Sequence, residues 1–224
     1  MEHAILEKSA LFKGIPAKEL RSILEAIPHH IQCYDKGETI LHLMEKADKI
    51  GILLEGRVQA QKPFPNGSQV NVSVRVSGEM LGHAAAFARS HTYPCDIVAL
   101  EPSTIMMFRR EDVLLLMQRD LRILENFTTE IASATYMLQQ RLELLSYSGI
   151  AQKAAFYLLL QARQTQKDTI RIPDSVSNWA LIMNVSRSSL HRELTKLAAN
   201  GVISYAPPFI QIMDESALES VLAE

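Results

Sequence analysis

The hydrophobic period of this chain changes once, near Arg110, and the change limits what each half can fold into. From His29 to Arg109 the apolar residues come in short β-rich runs: Ile31 to Tyr34, Lys49 to Leu54, Arg57 to Gln61, Val70 to Val76, Asp96 to Leu100 and Thr104 to Phe108. Turn chemistry separates them, through Asp35-Lys36-Gly37-Glu38, Glu55-Gly56, Asn66-Gly67 and Ser77-Gly78, and Asn66-Gly67 is the strongest hairpin signal. Residues 3 to 10 and Ala17 to Ile27 read as short helices flanking this barrel, the second with Leu20, Ile23, Leu24 and Ile27 at helical spacing. Beyond Arg110 the period is 3.6. Leu124, Phe127, Ile131, Ala134, Leu138 and Leu145 make a heptad stripe interrupted at Arg141. About 20 residues at 1.5 Å each give a seam of roughly 30 Å. A narrow stripe on so long a helix favours a parallel partner helix over burial against the chain's own barrel, the alternative reading.

The chain has 224 residues, 47% of them hydrophobic, enough to bury the core of one large domain or of two ordinary ones. Cys33 and Cys95 are too few for a disulfide framework, lack the paired spacing of a zinc site, and exclude a four-thiolate iron–sulfur cluster. That usage suits a cytoplasmic protein. No apolar run reaches the roughly 18 residues of a membrane span. A net charge of −2 gives no global signature for nucleic acid, so any such reading rests on local charge. Between Ser175 and Asn200 stand Arg187, Arg192 and Lys196 against the single acid Glu193, with His191 beside them.

The segment from Asp174 to Tyr205 carries the function. Val176, Trp179, Ala180 and Met183 form one apolar face, and Asn184-Val185-Ser186 makes a three-residue turn. A second helix then places Leu190, Leu194 and Leu197 inward. A helix-turn-helix needs a small residue where its helices press together, which Ala180 supplies, and a turn residue tolerant of positive φ, which Asn184 supplies. Ser186 is an N-cap for the second helix. The outward face offers Arg187, Ser188, Ser189, His191, Arg192 and Lys196. Arginine in the first turn of a recognition helix pairs bidentately with guanine, whereas Ser189 and Lys196 suit phosphates. Before this segment, Gly149 to Arg163 reads as a helix and Gln164 to Thr169 as a linker; after it, the run from Val202 to Met213 around Pro207-Pro208 reads as a two-stranded wing.

With these pieces in place, the chain resembles the cyclic-AMP receptor protein and fumarate-nitrate regulator (Crp/Fnr) superfamily over nearly its whole length. The residues that carry the resemblance are Leu11-Phe12 and Ile15, Tyr34 to Glu38, Leu54 to Val58, Gly78 to Gly82, Phe87, and Val185 to Leu194. It implies an α+β protein: a jelly-roll effector domain over residues 1–118, a dimerisation helix over 119–146 and a winged helix-turn-helix over 147–224. The implied partners are a second copy of the chain, a two-fold symmetric DNA operator, a small-molecule effector and, for an activator, RNA polymerase; a membrane is not among them. By position, Ser186, Arg187, Ser188, Ser189, His191, Arg192 and Lys196 meet DNA. Arg187 and Arg192 read bases, and Ser188 stands where the family often has a cytosine-reading glutamate, which implies an altered half-site.

The implied effector site, Gly82, His83, Arg89, Tyr93 and Pro94 with Leu138 and Gln139 from the long helix, departs from the nucleotide-binding pattern. His83 replaces the ribose-binding glutamate, and Tyr93-Pro94 replaces the arginine-serine pair for the cyclic phosphate. A buried phosphate without a cation is costly, so cyclic AMP is not the expected effector. Arg89 is the candidate displaced cation. Haem, with His83, His91, Met80 and Cys95 as local axial candidates, fits less well than a small organic ligand beside Ala84-Ala85-Ala86-Phe87. An enzyme is not expected: His29, His30, His42, His83 and His91 form no His-x-His set with a carboxylate, and His29 and His30 point to opposite faces of a strand.

Overall fold

The computed structural model of the chain describes residues 2–63 and 69–223, which leaves the Asn66-Gly67 turn outside the described residues. The chain divides into two compact units, residues 1–133 and 134–224. The division falls inside the long helix.

The first unit contains α1 (Glu2–Lys8), α2 (Ala17–Glu25), β1 (His30–Tyr34), β2 (Thr39–Leu41), β3 (Lys49–Glu55), β4 (Arg57–Pro63) and β5 (Gln69–Val76). It continues through β6 (Met80–Leu81), α3 (His83–Phe87), β7 (Asp96–Ala99), β8 (Ser103–Arg109), α4 (Arg110–Arg119) and the first half of α5 (Leu121–Ser146). Two antiparallel sheets, ordered β1-β8-β3-β6 and β2-β7-β4-β5, form the jelly-roll. In the first, the central strands β8 and β3 are buried on both faces, and period 2 sorts their residues. Ile50, Ile52 and Leu54 of β3, with Met106 and Phe108 of β8, pack against Leu6, Phe12, Leu20, Val113 and Phe127 from the helices. Leu53, Ile105 and Met107 turn the other way, into the barrel, with Val58, Ala60, Leu81, Tyr93 and Ile97. Gly51 is required between them: an added Cβ would lie 2.8 Å from Ile105 Cγ2.

The start of α5 is held firmly in this unit. Arg122 Nη2 lies 2.6 Å from Glu19 Oε2 and 2.7 Å from Asp120 Oδ2, and this pairing holds the Asp120 carboxyl below its usual range. Asn126 donates to the carbonyls of Leu11 and Lys13. Phe127 is buried and Ile131 half-buried against the same core.

The second unit opens with the rest of α5 and continues through α6 (Ile150–Thr165), β9 (Thr169–Arg171), α7 (Val176–Ile182), α8 (Arg187–Ala199), β10 (Ile203–Ala206), β11 (Phe209–Ile212) and α9 (Glu215–Ala223). Its core joins Leu144, Ala154, Leu158, Trp179, Ala180, Leu190, Leu194, Ile210 and Leu218. The wing has one strand more than the sequence predicts, with order β10-β11-β9, and β9 begins at Thr169, the last residue of the expected linker. Along α5 the predicted stripe divides in character. Phe127 serves its own domain, whereas Ala134 and Leu138 are exposed, together with Tyr136, Met137 and Leu142.

Candidate functional site

Local sequence builds the reading head. Ser175 caps α7 by accepting from Asn178 N–H at 3.1 Å. At the far end Asn184 adopts φ 53°, and Val185 N–H donates to Ala180 O at 3.0 Å to close the turn. Ser186, in extended conformation, accepts from Ser189 N–H at 3.1 Å and so starts α8. Its hydroxyl also meets those of Ser188 and Ser189 at 3.0 and 2.8 Å. The buried Lys153 of α6 donates to Met183 O at 3.3 Å, a cation at the C-terminal end of α7 where the helix dipole favours one.

On α8 the inward Leu190, Leu194 and Leu197 are buried. Arg187, Ser188, His191, Arg192 and Lys196 are exposed, and Ser189 is half-buried. Glu193 organises two of the cations, lying 2.9 Å from Lys196 Nζ and 3.6 Å from Arg192 Nε. His191 Nδ1 and Tyr205 Oη lie 3.2 Å apart, which ties α8 to wing strand β10.

The barrel unit holds a second feature, a cavity of about 190 Å³. Its walls are mostly apolar, including Leu41, Ala60, Met80, Leu81, Ala85 and Ile97, with Cys95 and Pro94 at one side. Gly82, with φ 71°, stands where a Cβ would be 2.9 Å from Leu41 and 3.0 Å from the Tyr93 ring. The polar lining is Ser73, Arg75 and His83. Arg75 pairs with Glu79 at 3.2 Å. The hydroxyl of Tyr93 is engaged at the backbone of Lys49, donating to its carbonyl at 2.9 Å and accepting from its N–H at 3.2 Å. Burial lowers the His83 imidazole to about 4, with the Arg75 charge adding to the effect and a backbone hydrogen bond at Met80 opposing it. The His83 ring stands edge-on to Phe127 of α5, at 6.2 Å between centroids.

A cyclic nucleotide-binding domain family matches residues 31–120, and a Crp-like helix-turn-helix domain family matches residues 152–221. The chain belongs to the Crp/Fnr family of transcription regulators. A cyclic AMP receptor protein of Thermus thermophilus is 22% identical over 216 residues, 96% of this chain and 98% of that one. The nitrogen fixation regulation protein FixK of Bradyrhizobium diazoefficiens is 22% identical over 223 residues, 97% of this chain and 92% of that one. Among solved structures, the Thermus thermophilus catabolite activator protein superposes with a TM-score of 0.55 at 22% identity, covering 96% of this chain and 99% of the other. This Crp/Fnr protein is a regulator with a DNA-binding helix-turn-helix and not an enzyme.

Gly82, His83, Tyr93 and Pro94 of the regulator line one cavity. Arg89 does not line it and is exposed. The lining cation is instead Arg75, which is not among the residues expected there. A signal for it existed: β5 is inverted, with Val74 and Val76 exposed at 50% and 49% while Ser73 and Arg75 are half-buried. Strand residues two apart share a face, so polar residues on the barrel face mark a site rather than a core. Leu138 and Gln139 lie exposed on α5 in the other unit. Of the axial candidates for haem, Met80, His83 and Cys95 line the cavity and His91 does not. An apolar cavity of about 150 Å³ holds benzene, so the volume found falls far short of a tetrapyrrole.

Proposed function

We propose that this regulator acts as a homodimer that reads a two-fold symmetric operator through its two α8 helices and responds to a small effector other than cyclic AMP. The observation that carries this reading is α8 itself. Its capped first turn presents Arg187 and Ser188, its exposed face carries Arg192 and Lys196, and its opposite face is locked into the core by Leu190, Leu194 and Leu197. Arg187 makes no ion pair among the described residues and is free to pair with a guanine edge. Ser188 lacks the carboxylate that would accept from a cytosine amine, so the half-site differs at that position from the one a glutamate selects.

Dimerisation is supported by the exposed apolar residues of α5, Tyr136, Met137, Leu138 and Leu142, each more than half exposed. A helix surface this apolar is characteristic of a protein contact. The effector reading is supported by the cavity chemistry: Pro94 offers no N–H, Tyr93 spends its hydroxyl on the backbone, and Arg75 is already paired. Ligand binding then shifts a two-state dimer and changes its operator affinity. Selection from random oligonucleotides tests the proposal. A palindromic consensus is expected; recovery of no preferred sequence would overturn it.

A further inference from the structure

The wing strand β10 does more than close the second unit. Ile203 is buried and Tyr205, two positions on, is half-buried, since strand residues two apart share a face. Tyr205 stands opposite the buried Ile210 of β11 and packs against the core of its unit. The apolar body of its ring is therefore held in place, while its polar end lies 3.2 Å from His191 Nδ1 on α8. The two rings also lie side by side, with centroids 5.6 Å apart. Burial keeps the proton on the Tyr205 phenol, with the Arg187 charge opposing it, so the imidazole meets a neutral hydroxyl able to donate or accept.

On α8, His191 follows Arg187 by four residues, so the two stand one turn apart on the same row of the helix, and both are exposed. With Nδ1 engaged, Nε2 is the ring nitrogen that makes no hydrogen bond among the described residues. A lysine that meets a phosphate does so on a flexible stem and carries no sequence information. An imidazole held by a hydrogen bond and a ring contact instead has a fixed direction, which is what reading a base edge requires. We propose that Tyr205 is a positioning residue for operator reading: its hydroxyl holds the His191 ring so that Nε2 meets one base edge beside the pair read by Arg187. The wing thereby shares in setting the sequence that the regulator selects. The proposal rests on the reading of α8 as the recognition helix.

The test is an anisotropy titration of the full-length protein against the operator selected above and its single-base-pair variants. The wild type is expected to discriminate about fivefold or more at the base pair that His191 reads, and His191→Ala to abolish discrimination at that pair alone. Tyr205→Phe keeps the ring and removes only the hydroxyl. It is expected to reduce discrimination at the same pair by about twofold or more with an unchanged thermal midpoint, and to have no further effect once His191 is alanine. A ring that only buttressed the wing would weaken all sequences evenly, and that outcome for Tyr205→Phe overturns the proposal. Even weakening by His191→Ala, the mark of a phosphate contact, overturns it as well. So does a Tyr205→Phe effect that persists in the His191→Ala background. A wild type that selects no preferred sequence loses both this inference and the regulator reading, whereas one that selects a palindrome left unchanged by Tyr205→Phe loses this inference alone.

Discussion

Single side chains carry the charge that this protein uses, and their environments set what each can do. His83 holds its proton with a pKa of about 4, against about 6.5 in an unfolded chain, because burial disfavours the imidazolium and Arg75 repels it. Between those values the unfolded chain binds the proton and the folded one does not, so stability rises with pH across the window. The contribution is complete above about pH 6.5 and is lost as pH falls toward 4. Thermal midpoints measured from pH 4 to 7 are expected to climb more steeply for the wild type than for His83→Gln; parallel curves would remove His83 as the cause. On α8 the cations separate by role. Arg187, which makes no ion pair among the described residues and lies in the first turn, is expected on alanine substitution to lose about 1 to 3 kcal/mol of discrimination at one base position. Lys196→Ala is expected to weaken all sequences evenly and to lower the salt slope by about 1, because a phosphate contact releases counterions without reading sequence. Fluorescence anisotropy on operator variants at several salt concentrations distinguishes the two.

At the level of elements, what was legible in the sequence had length or a cap. The helix-turn-helix could be read because Asn184 and Ser186 are chemical requirements of the turn, and the structure gives one its positive φ and the other its capping bond. The strands β2, β6 and β9 escaped because two or three residues are too few to show a period. Helix α3 escaped because it begins after Gly82 in a left-handed conformation with no side-chain cap. Helix α9 was readable and passed over: Asp214 accepts from Ala217 N–H at 2.9 Å, the signature of a capped start. Arg75 was missed for a different reason, since its meaning depends on which face of β5 turns inward. Along α5 one period covers two environments. Phe127 is buried in its own domain while Leu138 and Leu142 are 58% and 62% exposed, so the two are expected to respond differently to mutation. Leu138→Arg puts a charge into the proposed dimer seam without touching either core, and is expected to yield a monomer by sedimentation with an unchanged thermal midpoint. A variant that remains dimeric would move the dimer contact off this face.

At the scale of the whole molecule, the proposed dimer turns a short contact into a long one. A single α8 reaches only a few base pairs, and its three cations supply modest affinity against the background of non-specific binding. Two copies paired through α5 present two such helices related by a two-fold axis, and the duplex repeats its groove every 10 to 10.5 base pairs, roughly 34 Å. Half-sites about one turn apart therefore meet both helices from one side of the DNA. Inserting about 5 base pairs at the operator centre rotates one half-site to the opposite face, so that only one α8 can dock and the benefit of linking the two contacts is lost. The expected loss is at least a hundredfold in affinity, read by anisotropy titration at fixed salt on the wild-type palindrome and its insertion variant. The Leu138→Arg protein, with one reading head per molecule, should bind both DNAs equally weakly. Equal and tight binding of the two DNAs by the wild type would mean that one α8 suffices, and the symmetric reading would fall even with the helix-turn-helix intact.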